Sequence, residues 1–393
     1  MARNRKARPK IKQTAREKSA EDSKQLDLNL DDIKKEHSDV DKQSYSEDDL
    51  IPGGPTMFNL SCSGFSSGAY KKGSINTTCG TSDSGKTVKE MSCLASCAAN
   101  KRFDKYDLTI NNGEVKGSFN LKVMFPPLVG RLVEPPGGFS QTIQEFAGSM
   151  MMLCKQDRPF ICVLDSLDSL KSDSDFENVF AKAMKMAEGD PKAIKEIKQS
   201  YNTEKAKTIR KILAETNDMI SGKDSMLLII QQLTQKVGAT QFEEKMQASG
   251  GTAPKYYSTH QHWMTSTGKI TKSSFGKQIE IGNGASVKCK KNHLWGAKRN
   301  IEFNIYHEFG IDDIESILLF LCGTRWRKPS DTKVTASTLV AATEFSSKQI
   351  KFRDLLNMMW DDPKKYLPTL KSMAEEMWNE RENSLHTGRR AIF

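Results

Sequence analysis

Two periods of apolar residues alternate through the middle of the chain. Helical spacing predicts one helix carrying Val88, Met91 and Leu94, and a second carrying Ile143 and Phe146. Apolar or alternating runs predict strands over residues 73–79, 106–110, 121–125, 160–164 and 226–230. Because several strands are apolar at every position, we expect an α/β fold in which a mainly parallel central sheet is covered by helices.

Beyond residue 235 the pattern changes. Residues 236–251 have neither period, and a long loop in a compact domain is usually functional. Residues 256–257 are predicted as strand. An antiparallel hairpin at one sheet edge follows, with strands over 278–281 and 286–289 and a turn at 282–284. Alternation of Ile301, Phe303 and Ile305 predicts a last strand.

Three regions differ in composition, with predicted bounds 1–50, 51–311 and 312–393. The first is basic over its first eighteen residues and acidic from Glu21 to Asp49, with few apolar residues, so we expect it to be disordered when alone. Its basic part is either a contact for nucleic acid or a neighbour, or a solvated tail. The last region predicts a small helical domain, with apolar residues spaced for helices near 314–321 and 352–359 and a mixed-charge helix ending near Trp378.

A P-loop motif lies between the strand 73–79 and the helix after it. It fits G-x-x-x-x-G-K-[ST] at every fixed position, and its residues are Gly80, Thr81, Ser82, Asp83, Ser84, Gly85, Lys86 and Thr87. The glycines let successive backbone N–H groups turn toward a phosphate, and the helix adds its positive end. Lys86 would reach the β- and γ-phosphates, and Thr87 would hold Mg²⁺. The alternative is a surface turn that matches by chance.

The apolar run 160–164 ends in Asp165. This is typical of a Walker B strand, which places a carboxylate beside the P-loop to hold the water shell of Mg²⁺. Many core strands also end in an aspartate at a turn, so the position of Asp165, one strand and helix unit after the P-loop, favours the Mg²⁺ role.

Composition limits the class of protein. The chain has 393 residues, a net charge of +10 and a pI near 9.0, which favours polyanionic partners. It contains no apolar run of 18 residues and no apolar leader at its start, so we expect neither a membrane helix nor secretion. The eight cysteines form no C-x-x-C pair, which favours a reduced, cytoplasmic protein. Cys93 and Cys97, four residues apart on a helix, favour core packing over a metal site.

Across about residues 55–320 the chain resembles the RecA-type recombinases, including the RecA-like proteins of large bacteriophages. Four features agree in order with that family. They are the P-loop, the Walker B-like segment 162–166, the segment 229–232 before a loop that closes on Gly250 and Gly251, and Lys291-Asn292-His293 followed by 301–311. The last pair is similar to the family's K-N-K stretch and to its strand ending in Y-G-E-G-I.

The resemblance implies a RecA-like P-loop NTPase core that binds ATP and Mg²⁺. It implies that Glu114 orients the attacking water, that Gln232 senses the γ-phosphate, and that Lys291 reaches a neighbouring subunit's ATP. The loop 235–253 would be the second DNA-binding loop. Its candidate residues are Phe242, Lys245, Gly250 and Gly251, with Phe242 as a wedge between bases. The alternatives are a surface carboxylate for Glu114 and a buried loop anchor for Phe242.

Three departures from the family stand out. His293 replaces the second lysine, so either Lys298 or Arg299 compensates or the contribution across the interface is reduced. Asn111 and Asn112 stand where the family often has an acid. The N-terminal segment lacks an obvious apolar helix of the kind that joins one subunit to the next.

The function implied by the resemblance is that of a DNA-dependent ATPase. It would form a helical homo-oligomeric filament on single-stranded DNA, with ATP at subunit interfaces, and pair that strand with homologous double-stranded DNA in recombination and repair. A RecA-fold hexameric replicative helicase is the alternative enzyme, and a scaffold that binds ATP without hydrolysing it is the non-catalytic one.

Overall fold

The computed structural model describes residues 45–112, 119–171, 193–236, 246–326 and 333–385, with backbone only for 193–204. The prediction for most of the N-terminal arm (residues 1–44) lies outside this part of the chain. Glu114, Phe242 and Lys245 lie outside it too.

The helices and strands of the described part follow the predicted alternation. The helices are α1 Thr56–Ser63, α2 Lys86–Ala98, α3 Leu121–Met124, α4 Ile143–Lys155, α5 Ala193–Ile220, α6 Ala253–Tyr257, α7 Asp313–Leu321, α8 Phe352–Asp361 and α9 Pro363–Ser384. The strands are β1 Leu50–Ile51, β2 Tyr70–Lys71, β3 Ser74–Gly80, β4 Asp107–Asn112, β5 Leu132–Val133, β6 Phe160–Asp165, β7 Met226–Gln235, β8 Met246–Ala248, β9 Ser258–Ser274, β10 Lys277–Asn292, β11 Asn300–Tyr306, β12 Gly310–Ile311, β13 Leu339–Val340 and β14 Ile350–Lys351. Within the described ranges, no helix has both the length and the apolar character needed to cross a bilayer.

One large sheet organises the molecule. Its strand order is β12-β11-β10-β9-β3-β7-β6-β4-β5, and β8 pairs with β7 off this path. The neighbours from β9 through β3, β7, β6 and β4 to β5 are parallel, while β9 to β12 are antiparallel. The predicted α/β class with a large, mostly parallel central sheet is therefore confirmed.

Alternation along the central strands divides the core into two layers. On β6, Ile161 and Val163 face one layer while Cys162 and Leu164 face the other. The first layer contains side chains of α1, α2 and the C-terminal helices, and the second contains those of α4 and α5. Because both faces are covered, β3 is buried at every position.

Two short strand predictions are wrong. Residues 121–124 form a helical turn, and Pro126 begins a 3-10 turn directly after it. Since proline has no N–H to give to a ladder, the segment cannot continue as a central strand. Tyr256 and Tyr257 end the short helix α6, which Pro254 favours because its missing N–H is not needed in a first turn.

The predicted hairpin turn at 282–284 is also wrong. Residues 277–292 form one continuous strand that pairs with β9, and the turn lies at Phe275 and Gly276. Gly282 instead permits close approach to β11, because a Cβ there would come within 2.3 Å of the Ile305 carbonyl oxygen. Register shifts flank both Gly282 and Gly284, so these glycines mark bulges.

The segment 236–251, predicted without any strand, contains β8. Its three residues pair antiparallel with the end of β7, from Leu233 to Gln235. Such a short, partly exposed edge strand is set by its partner and leaves no period in the sequence.

The described residues from Asp49 onward form one compact unit. The predicted C-terminal helices are confirmed, and α9 continues to Ser384, six residues beyond Trp378. Their apolar side chains join the first core layer, and Arg299 beside β11 binds the Glu382 carboxylate of α9 through Nε at 2.9 Å. The boundary between 311 and 312 stays a prediction.

The cysteines pack as core thiols. All eight are buried, and none forms a disulfide. Cys93 Sγ donates to the Pro52 carbonyl at 3.0 Å, and burial raises the pKa of Cys97. Burial also raises the pKa of Cys162 to about 12, so the thiols of Cys97 and Cys162 stay protonated at neutral pH.

Replacing Trp378 with alanine tests how firmly α9 is part of the core. The side chain is 1% exposed and its ring lies 5.8 Å from that of Phe320. We expect Trp378→Ala to lower the free energy of unfolding by about 3–5 kcal/mol, measured by urea denaturation. Leu385→Ala, at a site 58% exposed, is the control and should change it by less than about 0.5 kcal/mol. Equal effects of the two variants would contradict the packing described.

Candidate functional site

The P-loop connects the central strand β3 to α2, as predicted. Its glycines meet two different demands. Gly85 has φ +85°, and a Cβ there would lie 2.1 Å from Ile305 Cδ1. A Cβ at Gly80 would lie 2.5 Å from Ser84 Oγ. Both fixed glycines of the motif are therefore required by packing within this chain.

Lys86 begins α2 and folds back over the loop. Its Nζ donates to the carbonyls of Gly80 at 3.1 Å and Thr81 at 2.7 Å. The N-terminus of α2 has no side-chain cap. The positive end of the helix dipole and a lysine ammonium therefore meet at one loop, an arrangement that suits an anion.

Thr87 on α2 and Asp165 at the end of β6 lie together, although β6 is not a neighbour of β3, the strand that precedes the P-loop. Thr87 Oγ1 donates to Asp165 Oδ2 at 2.8 Å, and β7 lies between β3 and β6 in the sheet. Asp165 is 8% exposed. A hydroxyl and a carboxylate oxygen side by side are ligands suited to Mg²⁺, which commonly takes one or two protein oxygens and completes its shell with water.

The two glutamines of β7 have different surroundings. Gln232 pairs with Gly80 in register, its backbone N–H donates to Asp168 Oδ2 at 2.7 Å, and its side chain is exposed. Gln231 is buried. Its Oε1 accepts from Cys79 Sγ at 3.5 Å, and its Nε2 donates to the Ser249 carbonyl.

Gln231 therefore connects the strand before the P-loop to the end of the following loop. A role for Gln232 was predicted from the sequence, but none was predicted for Gln231. The available signal was a polar residue at the inward phase of an otherwise apolar strand. The sensor role of Gln232 stays a prediction.

Gly250 and Gly251 both adopt the left-handed region, with φ of +77° and +78°. A Cβ at Gly250 would lie 2.8 Å from Leu167 Cδ2. The double glycine thus closes the chain tightly against the residues after β6 and beside Gln231.

The strand that leads toward Glu114 ends beside Asp165. Asn112, its last residue, pairs with Asp165 in register. Asn111 is buried and forms two hydrogen bonds with Ser140, donating to its Oγ at 2.8 Å and accepting from its N–H at 2.9 Å. Asn111 therefore anchors the segment before α4, which explains an amide at this position.

Lys291 lies away from the P-loop of its own chain. Its Nζ donates to the carbonyls of Lys255 and Tyr256, both at 2.8 Å, at the end of α6. Val287 on β10 pairs with Met264, which pairs with Gly80 of the P-loop. Lys291 lies four residues after Val287, which is about 13 Å along the strand. Partial burial lowers the pKa of Lys291, and the nearby positive charge of Lys255 lowers it further. The structure does not bring this residue together with Lys86, Thr87 and Asp165.

A buried charged network, which was not predicted from the sequence, underlies the P-loop helix. Lys89 and Glu90 are 0% and 1% exposed. The Glu90 carboxylate accepts from Thr78 Oγ1 at 2.5 Å and from Lys89 Nζ at 3.1 Å. Lys89 also donates to the Tyr70 hydroxyl and lies 3.9 Å from the centroid of the Phe58 ring. These contacts fix the first turns of α2 on β3.

Two buried histidines of β9 lie next to this network. The rings of His260 and His262 stack with centroids 5.7 Å apart. Burial lowers the pKa of His260 to about 4 and lowers that of His262 well below its usual value. Both imidazoles are therefore neutral near pH 7.

Comparison with known proteins adds no assignment to this geometry. No family model matches the chain, and no curated protein matches it.

A double-mutant cycle tests the buried pair. Lys89→Met leaves the Glu90 carboxylate buried without its cation, so we expect the free energy of unfolding to fall by about 3–5 kcal/mol. Combining it with Glu90→Leu should cost less than the sum of the single variants, because no uncompensated charge remains. Urea denaturation of the four proteins measures this. Strict additivity would show that the two side chains do not stabilise each other.

The buried histidines predict a loss of stability in acid. His260 has a pKa near 4 when folded and about 6.5 when unfolded, so between these values only the unfolded chain takes up the proton. This residue should lower the free energy of unfolding by about 2 kcal/mol between pH 7 and pH 5. His260→Gln should reduce that pH dependence in urea denaturation. The exposed His307→Gln control should keep it; equal curves for His260→Gln and the wild type would contradict this account.

Proposed function

We propose that this chain is an ATP-dependent DNA recombinase of the RecA type, which assembles on single-stranded DNA and pairs it with homologous duplex. The observation that carries the proposal is the contact path from Cys79 through Gln231 to Ser249. It joins the strand before the glycine loop to the end of the segment that the family resemblance assigns to DNA. A P-loop alone would support only binding of a nucleoside triphosphate.

The residues at the P-loop fit a nucleotide and Mg²⁺. The loop glycines, the uncapped end of α2 and Lys86 would hold the phosphates, and Thr87 and Asp165 would hold the ion. Bound Mg²⁺-ATP would supply the phosphoanhydride bond that is hydrolysed. In this proposal Glu114 orients the attacking water. The preceding strand, β4, ends at Asn112, which pairs with Asp165.

The state of the P-loop would reach DNA through β7. Gln231 and Gln232 contact Ser249 through the side chain and the backbone, respectively, and Gly250 packs beside them. A shift of β7 against β3 would therefore move the residues that close the loop. In this proposal Phe242, Lys245, Gly250 and Gly251 contact the DNA, and nucleotide state orders or releases that contact.

The proposal also places each ATP between two subunits. Lys291 lies too far along β10 to serve its own P-loop, which supports a role toward a neighbour. Arg299 is engaged by Glu382 in its own chain, so Lys298 is the better candidate to compensate for His293. A filament follows if the same contact repeats without closing into a ring.

The proposed role of Lys86 is tested by Lys86→Ala. Removing the ammonium should abolish binding of a fluorescent ATP analogue and any nucleotide-dependent DNA binding. Because Lys86 Nζ donates to the carbonyls of Gly80 and Thr81 in the loop, circular dichroism should show an intact fold. Lys101→Ala, at an exposed lysine in the 3-10 turn that follows α2, is the matched control. Unchanged nucleotide affinity in Lys86→Ala would contradict the assignment.

Electron microscopy with single-stranded DNA and a non-hydrolysable ATP analogue tests the whole proposal. Helical filaments are expected, together with an ATPase rate that rises when single-stranded DNA is added. Closed rings with directional unwinding would indicate a helicase instead. The absence of both filaments and DNA-stimulated ATP turnover would overturn the proposal.

A further inference from the structure

The hairpin of β9 and β10 extends well past the body of the sheet. Met264 is level with Gly80, the last residue of β3, and β9 continues for ten more residues, about 33 Å. The residues of β10 that precede Gly282 do not pair with β11. Residues 271–280, here called the outer ribbon, are therefore a two-stranded ribbon, exposed at every position except Ser274. It projects from the same sheet edge as the P-loop.

Phe275 at the tip of the outer ribbon combines two unfavourable features. Its φ is +49°, a conformation that glycine or asparagine adopts readily and that a bulky side chain rarely adopts. Its side chain is also fully exposed, at 103%. An asparagine here would remove both penalties, so an aromatic ring at this point is best explained by a ligand that it contacts.

The two faces of the outer ribbon differ in charge. On one face Lys277 lies opposite Ser274 and Lys272 lies opposite Ile279, and among the described residues neither lysine has an acidic partner. On the other face Glu280 accepts from Lys269 at 2.6 Å, which neutralises both. One face therefore carries two uncompensated cations beside an apolar side chain, directly below the exposed ring.

We propose that the outer ribbon binds duplex DNA, with Lys272 and Lys277 on phosphates and the Phe275 ring inserted between base pairs. A two-stranded ribbon fits the major groove, which is about 12 Å wide. Ser274, which lies opposite Lys277 on the same face, supplies a further hydroxyl donor to phosphate oxygens. An inserted apolar side chain unstacks a base step.

This inference rests on the proposed function, since a recombinase must open the duplex that it pairs. It concerns a different segment from the loop 235–253 and uses residues that the family resemblance did not assign. The charge and the ring indicate the partner. Lys272 and Lys277, which have no acidic partner among the described residues, favour a polyanion, and the exposed Phe275 ring can stack on bases.

The test compares four variants of the full chain. Phe275→Asn removes the ring and suits the positive φ, so the turn is retained. Phe275→Trp keeps an aromatic ring. Lys272→Gln combined with Lys277→Gln neutralises the charged face, and Lys269→Gln on the opposite face is the control. Fluorescence anisotropy measures affinity for a labelled 30-base-pair duplex and for single-stranded DNA, and 2-aminopurine in the duplex reports unstacking.

Phe275→Asn should weaken duplex binding on the order of tenfold and abolish the 2-aminopurine signal, while Phe275→Trp restores both. The double lysine variant should make the salt dependence of duplex affinity shallower by about two in the logarithmic slope, and Lys269→Gln should leave it unchanged. Single-stranded DNA affinity and DNA-stimulated ATP turnover should match the wild type in every variant.

Unchanged duplex affinity and unstacking in Phe275→Asn would overturn the inference. So would a variant that binds duplex normally but loses self-association in sedimentation, because the ribbon would then contact a second copy. Duplex binding needs no ATP hydrolysis, so its loss can be told apart from failure of the recombinase proposal. That proposal is judged separately by filaments and ATP turnover of the wild type.

Discussion

The burial of Lys89 and Glu90 between β3 and α2 is the constraint on which the site depends. Taking two charges out of water costs several kcal/mol per ion unless their geometry and hydrogen bonds compensate. Thr78 and the aromatic rings of Phe58 and Tyr70 provide that compensation. Because Thr78 is two residues before Gly80 and Lys89 is two residues after Thr87, the network fixes the strand and the helix on both sides of the glycine loop. The loop has little freedom of its own.

On its other side β3 pairs with β7, whose two glutamines point to opposite faces of the sheet and make different contacts. Gln231 points into the core and reaches both Cys79 and Ser249, while Gln232 uses its backbone to hold Asp168 and Ser249. The two glutamines of β7 thereby connect the buried strand before the P-loop to the chain around Ser249. An apolar residue at 231 would keep the sheet but would lose this connection.

Local patterns predicted what local physics determines. The apolar runs of β3, β6 and β7, the P-loop between a strand and a helix, and the closeness of Asp165 to the loop all follow from strand phase and parallel order. The turn at Phe275 and Gly276 could not be found this way, because Gly282 and Gly284 give the same signal in a turn as in a bulge. The distinction depends on β11, which approaches from twenty residues away. Lys89 and Glu90 look like exposed helix charges for the same reason: their partners Tyr70 and Thr78 lie on strands.

One strand, β9, joins features that the sequence presents separately. Its first residues place His260 and His262 beside the buried network, and Met264 then lies level with Gly80. Its remaining length forms half of the outer ribbon. Since β9 pairs in parallel with β3 and antiparallel with β10, it is the point where the buried, parallel half of the sheet changes into the exposed, antiparallel half. A rigid attachment of the ribbon beside the P-loop follows from that change, because both are extensions of adjacent, fully paired strands.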